Sequence, residues 1–249
     1  MRPSGREPDA LRPVTIEPGF MRTASGSALI SVGGTRVICT ASVADGVPRW
    51  MAGKGRGWLT AEYGMLPAST GERRQRDVTR GRPDGRTVEI QRLIGRSLRG
   101  VLDPASLGER TIWIDCDVLE ADGGTRCAAI TGGYVALHLA LALLVEEGAL
   151  GTLPLTQSVA AVSCGVVDGK VLLDLDYPED SSAEVDMNVV MTGDGGLVEV
   201  QATAERTPLS RTSLDEMLAL GAVGIERLRA AQAAVTGPLP GAPPGPAAG

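Results

Sequence analysis

Histidine is nearly absent from this chain: His138 is the only one in 249 residues. A Ser-His or Cys-His nucleophilic scheme would have to run through that one residue, which sits in the middle of an apolar stretch and reads as a packed core histidine. The four cysteines, Cys39, Cys116, Cys127 and Cys164, are dispersed among apolar neighbours with no C-x-x-C pair. They read as small buried hydrophobes of a reduced, cytoplasmic protein rather than as metal ligands or a disulfide framework. Lysine is confined to Lys54 and Lys170. The loop Gly53-Lys-Gly-Arg56 lacks the spacing of a P-loop. No apolar core of a signal peptide opens the chain. Long apolar runs are also missing but for one, Ala128 to Val145, which contains no Asp, Glu, Lys or Arg. Its Ala and Gly content, and its interruption by Thr131, Tyr134 and His138, point to a core helix and away from a membrane span.

What is present suffices for a substantial core: 43% of the residues are hydrophobic. The expectation is one compact domain over residues 1–235, with a Pro-, Gly- and Ala-rich disordered tail over 236–249. Strands are expected at Val14–Glu17, at Ser27–Val32 and Thr35–Val43 around a Gly33-Gly34 hairpin turn, and at Trp58–Leu66. After a polar stretch from Ser69 to Gly85, helical periodicity runs from Thr87 to Leu102. Further strands are read at Thr111–Leu119, Ser158–Val167, Lys170–Asp176, Met187–Thr192 and Leu197–Thr203. Asp168-Gly169 closes a hairpin, and an acidic connecting segment covers Asp176 to Asp186. A capping box at Ser213-Leu-Asp-Glu216 is expected to open a last helix running to about Val235.

Net charge is −6, yet from Glu72 to Arg99 nine arginines face four acids. This basic stripe on an acidic chain suits either a solvated loop or a polyanion partner. Within it Arg92, Arg96 and Arg99 share one helix face, available to phosphates or to acids elsewhere in the fold. Ahead of the apolar helix, Glu120-Ala-Asp-Gly-Gly-Thr-Arg126 joins a strand to a helix through a glycine turn. The free N–H groups and positive dipole end of the helix then face whatever sits above Gly123, Gly124 and Thr125. An anion suits that place, and the planar Arg126 guanidinium could grip two of its oxygens. A tight turn with a surface arginine is the commoner reading of these residues alone. Arg86 stands at a second helix start with the same local chemistry.

Several separated stretches resemble the phosphorolytic exoribonuclease family of ribonuclease PH, over nearly the whole chain. They are Met1-Arg-Pro-Ser-Gly-Arg6 with Gly19-Phe20, Thr60-Ala-Glu-Tyr-Gly-Met-Leu-Pro67, the run from Gly85-Arg86-Thr-Val-Glu-Ile to Arg99, Asp122-Gly-Gly-Thr-Arg126, and Glu179-Asp-Ser-Ser-Ala-Glu-Val-Asp-Met-Asn-Val-Val190. The resemblance implies an α/β fold with an α+β type mixed sheet, ribosomal protein S5 domain 2-like, and a ring assembly, a homo-hexamer built as a trimer of dimers. It assigns inorganic phosphate, as co-substrate, to Arg86, Gly124, Thr125 and Arg126. It assigns Mg²⁺ and catalysis to Asp180 and Asp186, makes precursor transfer RNA and other RNA 3′ ends the substrate, and assigns the structured body of precursor transfer RNA to the loop of Arg73, Arg74 and Arg76. The implied activity is phosphate-dependent trimming of RNA from its 3′ end. Related enzymes with a lysine two residues after the second aspartate differ, since this chain has Asn188 there. Two other readings remain: a non-catalytic RNA-binding ring subunit, and a small-molecule kinase, for which no serine-rich glycine loop is evident.

Overall fold

A computed structural model describes residues 2–82, 84–205 and 208–239. Strands β1 (Val14–Pro18), β2 (Gly26–Val32), β3 (Thr35–Asp45) and β4 (Trp58–Met65) come first. Helices α1 (Asp77–Arg80), α2 (Gly85–Arg99) and α3 (Pro104–Leu107) follow, then β5 (Arg110–Glu120) and α4 (Thr125–Glu146). The second half holds β6 (Val159–Val167), β7 (Lys170–Leu173), α5 (Tyr177–Ser182), β8 (Val185–Thr192), β9 (Leu197–Ala204) and α6 (Arg211–Thr236). They form two sheets, a five-stranded one in the order β1-β2-β3-β5-β4 and a four-stranded one in the order β7-β6-β8-β9. The first is mixed, because β4 runs parallel to β5 while its other pairs are antiparallel. This is the expected mixed α/β architecture.

The alternation read in β5 has its physical cause in α4. Ile112, Ile114, Cys116 and Val118 are buried against the helix, and Trp113, Asp115 and Asp117 face the other way. Alpha4 packs on β2, β3 and β5 and also on β6 of the second sheet. A helix clad on opposite sides has no solvent stripe, which is why it is apolar all round. It is long and apolar enough to cross a membrane by composition, but 72% of its most apolar window is buried inside the protein. Gly132 sets how close it lies: a Cβ there would come within 2.7 Å of Ile30 Cγ2 and 2.9 Å of Cys39 Sγ. The close neighbour that the Gly132-Gly133 pair accommodates is thus a sheet. His138 is buried edge-on to Tyr134 and burial lowers its pKa, the behaviour of a neutral core histidine.

Four local expectations change. Alpha2 starts at Gly85 behind an Asp84 cap, so Arg86 lies inside its first turn, and the helix ends at Arg99. The acidic segment after Asp176 is not a plain connection. It holds α5, closed by a capping box in which Asp176 accepts from Glu179 N–H and the Glu179 carboxylate accepts from Asp176 N–H. Beta7 stops at Leu173 because Asp174 turns into the left-handed region at φ 53°. The last helix is capped by Ser210, which accepts from Ser213 N–H at 3.0 Å, so Ser213 sits inside the first turn instead of capping it. Of the expected tail, residues 240–249 lie outside the described residues; Thr236 still belongs to α6.

Candidate phosphate and carboxylate site

The glycine turn behaves as its sequence suggests. Gly123 and Gly124 both take positive φ, 79° and 66°, and Gly124 is the N-cap of α4 with no side-chain cap. The first-turn N–H groups are therefore available to a ligand. Gly123 is needed for a second reason: a Cβ there would meet Leu175 O at 2.7 Å and Tyr177 N at 3.0 Å. The turn thus lies directly against the chain entering α5, which carries Asp180.

Thr125 is buried in the first turn of α4, and its Oγ1 accepts a 2.9 Å hydrogen bond from the Tyr63 hydroxyl at the end of β4. Arg126 is held by Gln201 Oε1 of β9 and, at 3.3 Å, by Glu89 Oε1 of α2. Gln201 Nε2 closes the triangle by donating to the same Glu89 oxygen at 2.8 Å. The Arg126 guanidinium is therefore aimed before any ligand arrives.

Asp186 stands on β8, on the face opposite Met187 and Val189, which pack in the core under α6. Its Oδ2 accepts from Asn188 Nδ2 at 3.4 Å, and Asn188 Oδ1 in turn meets Cys127 Sγ of α4 at 3.2 Å. Asn188 is thus a neutral strut between Asp186 and the α4 first turn. Asp186 Oδ1 is buried and has no partner among the described residues. Burial, and then the charge of Asp180, push the Asp186 carboxyl up to about 6. Burial also raises Asp180, while Arg86, Arg126 and Arg12 act in the opposite direction. Arg126 and Arg86 act on both carboxyls, so residues from α2, α4, α5 and β8 share one electrostatic cluster.

An orphaned buried oxygen beside a second carboxylate suits a hard cation. No group of three or more His, Cys, Asp or Glu side chains among the described residues is arranged to hold a metal. Two carboxylates alone match Mg²⁺, which keeps its remaining positions for water and substrate phosphate.

The expected RNA contacts divide. Arg96 is tied to Glu199, with Nε at 2.7 Å, and Arg99 donates to Leu59 O at 2.9 Å while stacking over Trp58. Of the three-arginine stripe, Arg99 is held against the fold, Arg96 is exposed but paired on the surface with Glu199, and Arg92 is exposed. In the preceding loop Arg74 contacts Met65 Sδ at 3.2 Å and pairs with Asp84 at 3.8 Å, whereas Arg73 and Arg76 are exposed. Tyr63, Glu89, Gln201 and Arg12 were not singled out from the sequence as site residues. The Glu89 signal was available, since it lies in the same Gly-Arg-Thr-Val-Glu-Ile run as Arg86.

Comparison with known proteins identifies the family. Residues 10–142 match the model of the 3′ exoribonuclease family, domain 1, and residues 157–224 match domain 2 of the same family. Ribonuclease PH of Moorella thermoacetica is 60% identical over 239 residues, covering 96% of each chain. Ribonuclease PH of Syntrophomonas wolfei is 55% identical over 236 residues, 95% of this chain and 99% of that protein. Among solved structures, a chain of the Archaeoglobus fulgidus exosome with RNA bound to the active site superposes with a TM-score of 0.78 at 24% identity, over 92% of this chain and 91% of that one. Rice Rrp46 superposes with a TM-score of 0.76 at 19% identity, over 93% of this chain and 98% of that one. These likenesses at low identity carry the fold, and the family models with the high-identity relatives carry more: the chain belongs to the 3′ exoribonuclease family of ribonuclease PH.

Proposed function

We propose that the chain shortens RNA from its 3′ end by phosphorolysis at the cluster formed by Arg86, Gly124, Thr125, Arg126, Asp180 and Asp186. The observation that carries the reading is the union, in one cluster, of an uncapped helix N-terminus with two arginines and a pair of carboxylates. Inorganic phosphate sits at the α4 N-terminus, gripped by Arg126 and Arg86 and by the Thr125 hydroxyl. One of its oxygens attacks the phosphorus of the last phosphodiester. The bond from phosphorus to the upstream ribose 3′ oxygen breaks, a nucleoside diphosphate leaves, and the 3′ oxygen takes up a proton. That proton comes from solvent, to which Asp180 is exposed, since a carboxylate that holds a cation is ionised. No protein nucleophile is needed, which accords with a chain whose one histidine is in the core.

Asp180 and Asp186 would hold Mg²⁺, which supplies charge neutralisation between the RNA phosphate and the attacking anion. The substrate class is RNA 3′ ends, precursor transfer RNA among them, with Arg73 and Arg76 placed to meet backbone phosphates. The exposed apolar side chains Phe20, Met21 and Trp113 support association with further subunits, which in this reading gives a homo-hexameric ring. Cytoplasmic action is supported by four free, buried cysteines.

The test is incubation with a short 3′-tailed RNA, with and without phosphate. Phosphate-dependent release of nucleoside diphosphates supports the reading. Release of monophosphates means hydrolysis, and no release means a binding subunit; either outcome overturns it.

A further inference from the structure

The two halves of the site come from different parts of the chain. The anion-binding turn and Arg86 lie within residues 10–142, and Asp180 and Asp186 within residues 157–224. Arg126 with Gln201 and Cys127 with Asn188 join the two halves directly, and a further set of ties stands at the amino terminus, partly ahead of both family segments. Arg2 is buried and grips Glu179 bidentately, Nε to Oε1 and Nη2 to Oε2, each at 2.7 Å. It also donates to Leu173 O and Asp174 O, both at 3.0 Å. Arg6 adds contacts to Asp174 O at 3.0 Å and Glu179 Oε2 at 3.2 Å. Leu173 N–H donates to Pro8 O at 2.8 Å, so the backbone of the segment is laid against the end of β7.

Arg12 completes the connection. Its Nε and Nη2 hold the two oxygens of buried Asp174, at 3.0 and 2.7 Å, and its own backbone N–H donates to Asp174 Oδ2 at 2.7 Å. The rest of the guanidinium reaches the glycine turn, through Asp122 O and, at 3.4 Å, Gly123 O. One side chain thus ties the turn that presents Gly124 to the loop that leads into α5. Asp174 is a non-glycine residue at φ 53°, a conformation that persists where the surroundings over-determine it. Glu179 is the immediate neighbour of Asp180, and its carboxylate is also the reciprocal half of the α5 capping box.

We propose that Arg2 and Arg12 are positioning residues: buried bidentate pairs, Arg2 with Glu179 and Arg12 with Asp174, set α5 and Asp180 at a fixed place relative to the anion-binding turn. The inference rests on the phosphorolysis reading for its catalytic consequence. Arg2 acts on the carboxylate side alone, whereas Arg12 acts on both sides. Their replacement therefore leaves different kinetic signatures. Lysine keeps the charge of either arginine but loses the two-pronged grip.

The experiment compares Arg2→Lys and Arg12→Lys with the parent full-length chain, measuring kcat, the phosphate KM, the half-activating Mg²⁺ concentration and amide exchange over residues 176–183. Residues placed to orient a metal-binding group typically change activity or metal affinity about ten- to a hundredfold when replaced. Arg2→Lys is expected to lower kcat and raise the Mg²⁺ requirement in that range, to speed amide exchange over 176–183, and to leave the phosphate KM unchanged. Arg12→Lys is expected to raise the phosphate KM as well. A variant that is merely less stable would lose activity in proportion to its folded fraction, with unchanged phosphate KM and Mg²⁺ requirement; that result, or unaltered exchange over 176–183, overturns the proposal. A parent chain that releases no nucleoside diphosphate fails the phosphorolysis reading instead, while the exchange measurement still decides whether Arg2 holds α5.

Discussion

Tyr63 donates its hydroxyl proton to Thr125 Oγ1 across 2.9 Å, from the end of β4 to the first turn of α4. Because the Thr125 oxygen accepts there, its own proton remains available for donation to a group other than Tyr63. A buried tyrosine thereby holds the hydroxyl of the first turn of α4, where the proposed phosphate site lies.

Tyr63→Phe should accordingly raise the phosphate KM roughly two- to tenfold, the scale of one neutral hydrogen bond. The ring stays in place, so thermal stability should change little. Phosphate titrations at saturating RNA, with a melting curve beside them, check both halves of this expectation.

Arg126→Ala and Arg86→Ala should each weaken phosphate use by roughly ten- to a hundredfold or more, the scale of a charge-assisted hydrogen bond, and affect RNA binding far less. Arg126→Lys should rescue only in part, because one ammonium cannot serve the anion while also meeting Gln201 and Glu89 as the fork does. Equal losses of phosphate use and RNA binding would remove the arginines from the anion site.

Asp180→Asn and Asp186→Asn should abolish turnover while leaving the fold intact. In the metal-free chain the Asp186 carboxyl should titrate at about 6, and Asp180→Asn should lower that value only in part, since burial is the larger cause and the Asp180 charge the second. The folded value lies above the ordinary 3.8, so the folded chain binds this proton more tightly than the unfolded one. The stabilisation from that proton is complete below about pH 4 and is lost as pH rises through about 6. Carboxyl carbon NMR reads the titration directly.

Arg73→Ala combined with Arg76→Ala should raise KM for precursor transfer RNA and leave turnover of a short single-stranded oligonucleotide almost unchanged. Two lost phosphate contacts should reduce the slope of log affinity against log salt by roughly 1.4 to 1.8 units. Arg74 is left out because its contacts with Met65 and Asp84 give it a structural role. An unaltered slope would mean that the exposed arginines are only solvated.

Part of this protein was legible from the chain alone, because the forces that shape a strand, a turn or a helix act within a few residues. Alternation in Ile112, Ile114, Cys116 and Val118 marked the buried face of β5, and Gly123-Gly124 before an apolar run marked the N-terminus of α4, which has no side-chain cap. The α5 capping box was also written locally, in Asp176 and Glu179 with Pro178 between them, although the acidity of the segment read as a connection. What the sequence left open was every choice between chemically equal residues. Arg96 and Arg99 look like Arg92 on a helical face, yet Glu199 and Leu59 O, 103 and 40 residues away in the chain, engage the first two. Nothing near Arg2 or Arg12 in the chain names their partners, and only the folding of β7 and α5 beneath them brings Glu179 and Asp174 within 3 Å. Asp186 differs from the surrounding acids only because β8 turns it inward, beside Asn188 and toward the first turn of α4. Charge and hydrogen-bond partners are assigned by proximity in space, and for residues this far apart in the chain that proximity is set by the pairing of the sheets across α4.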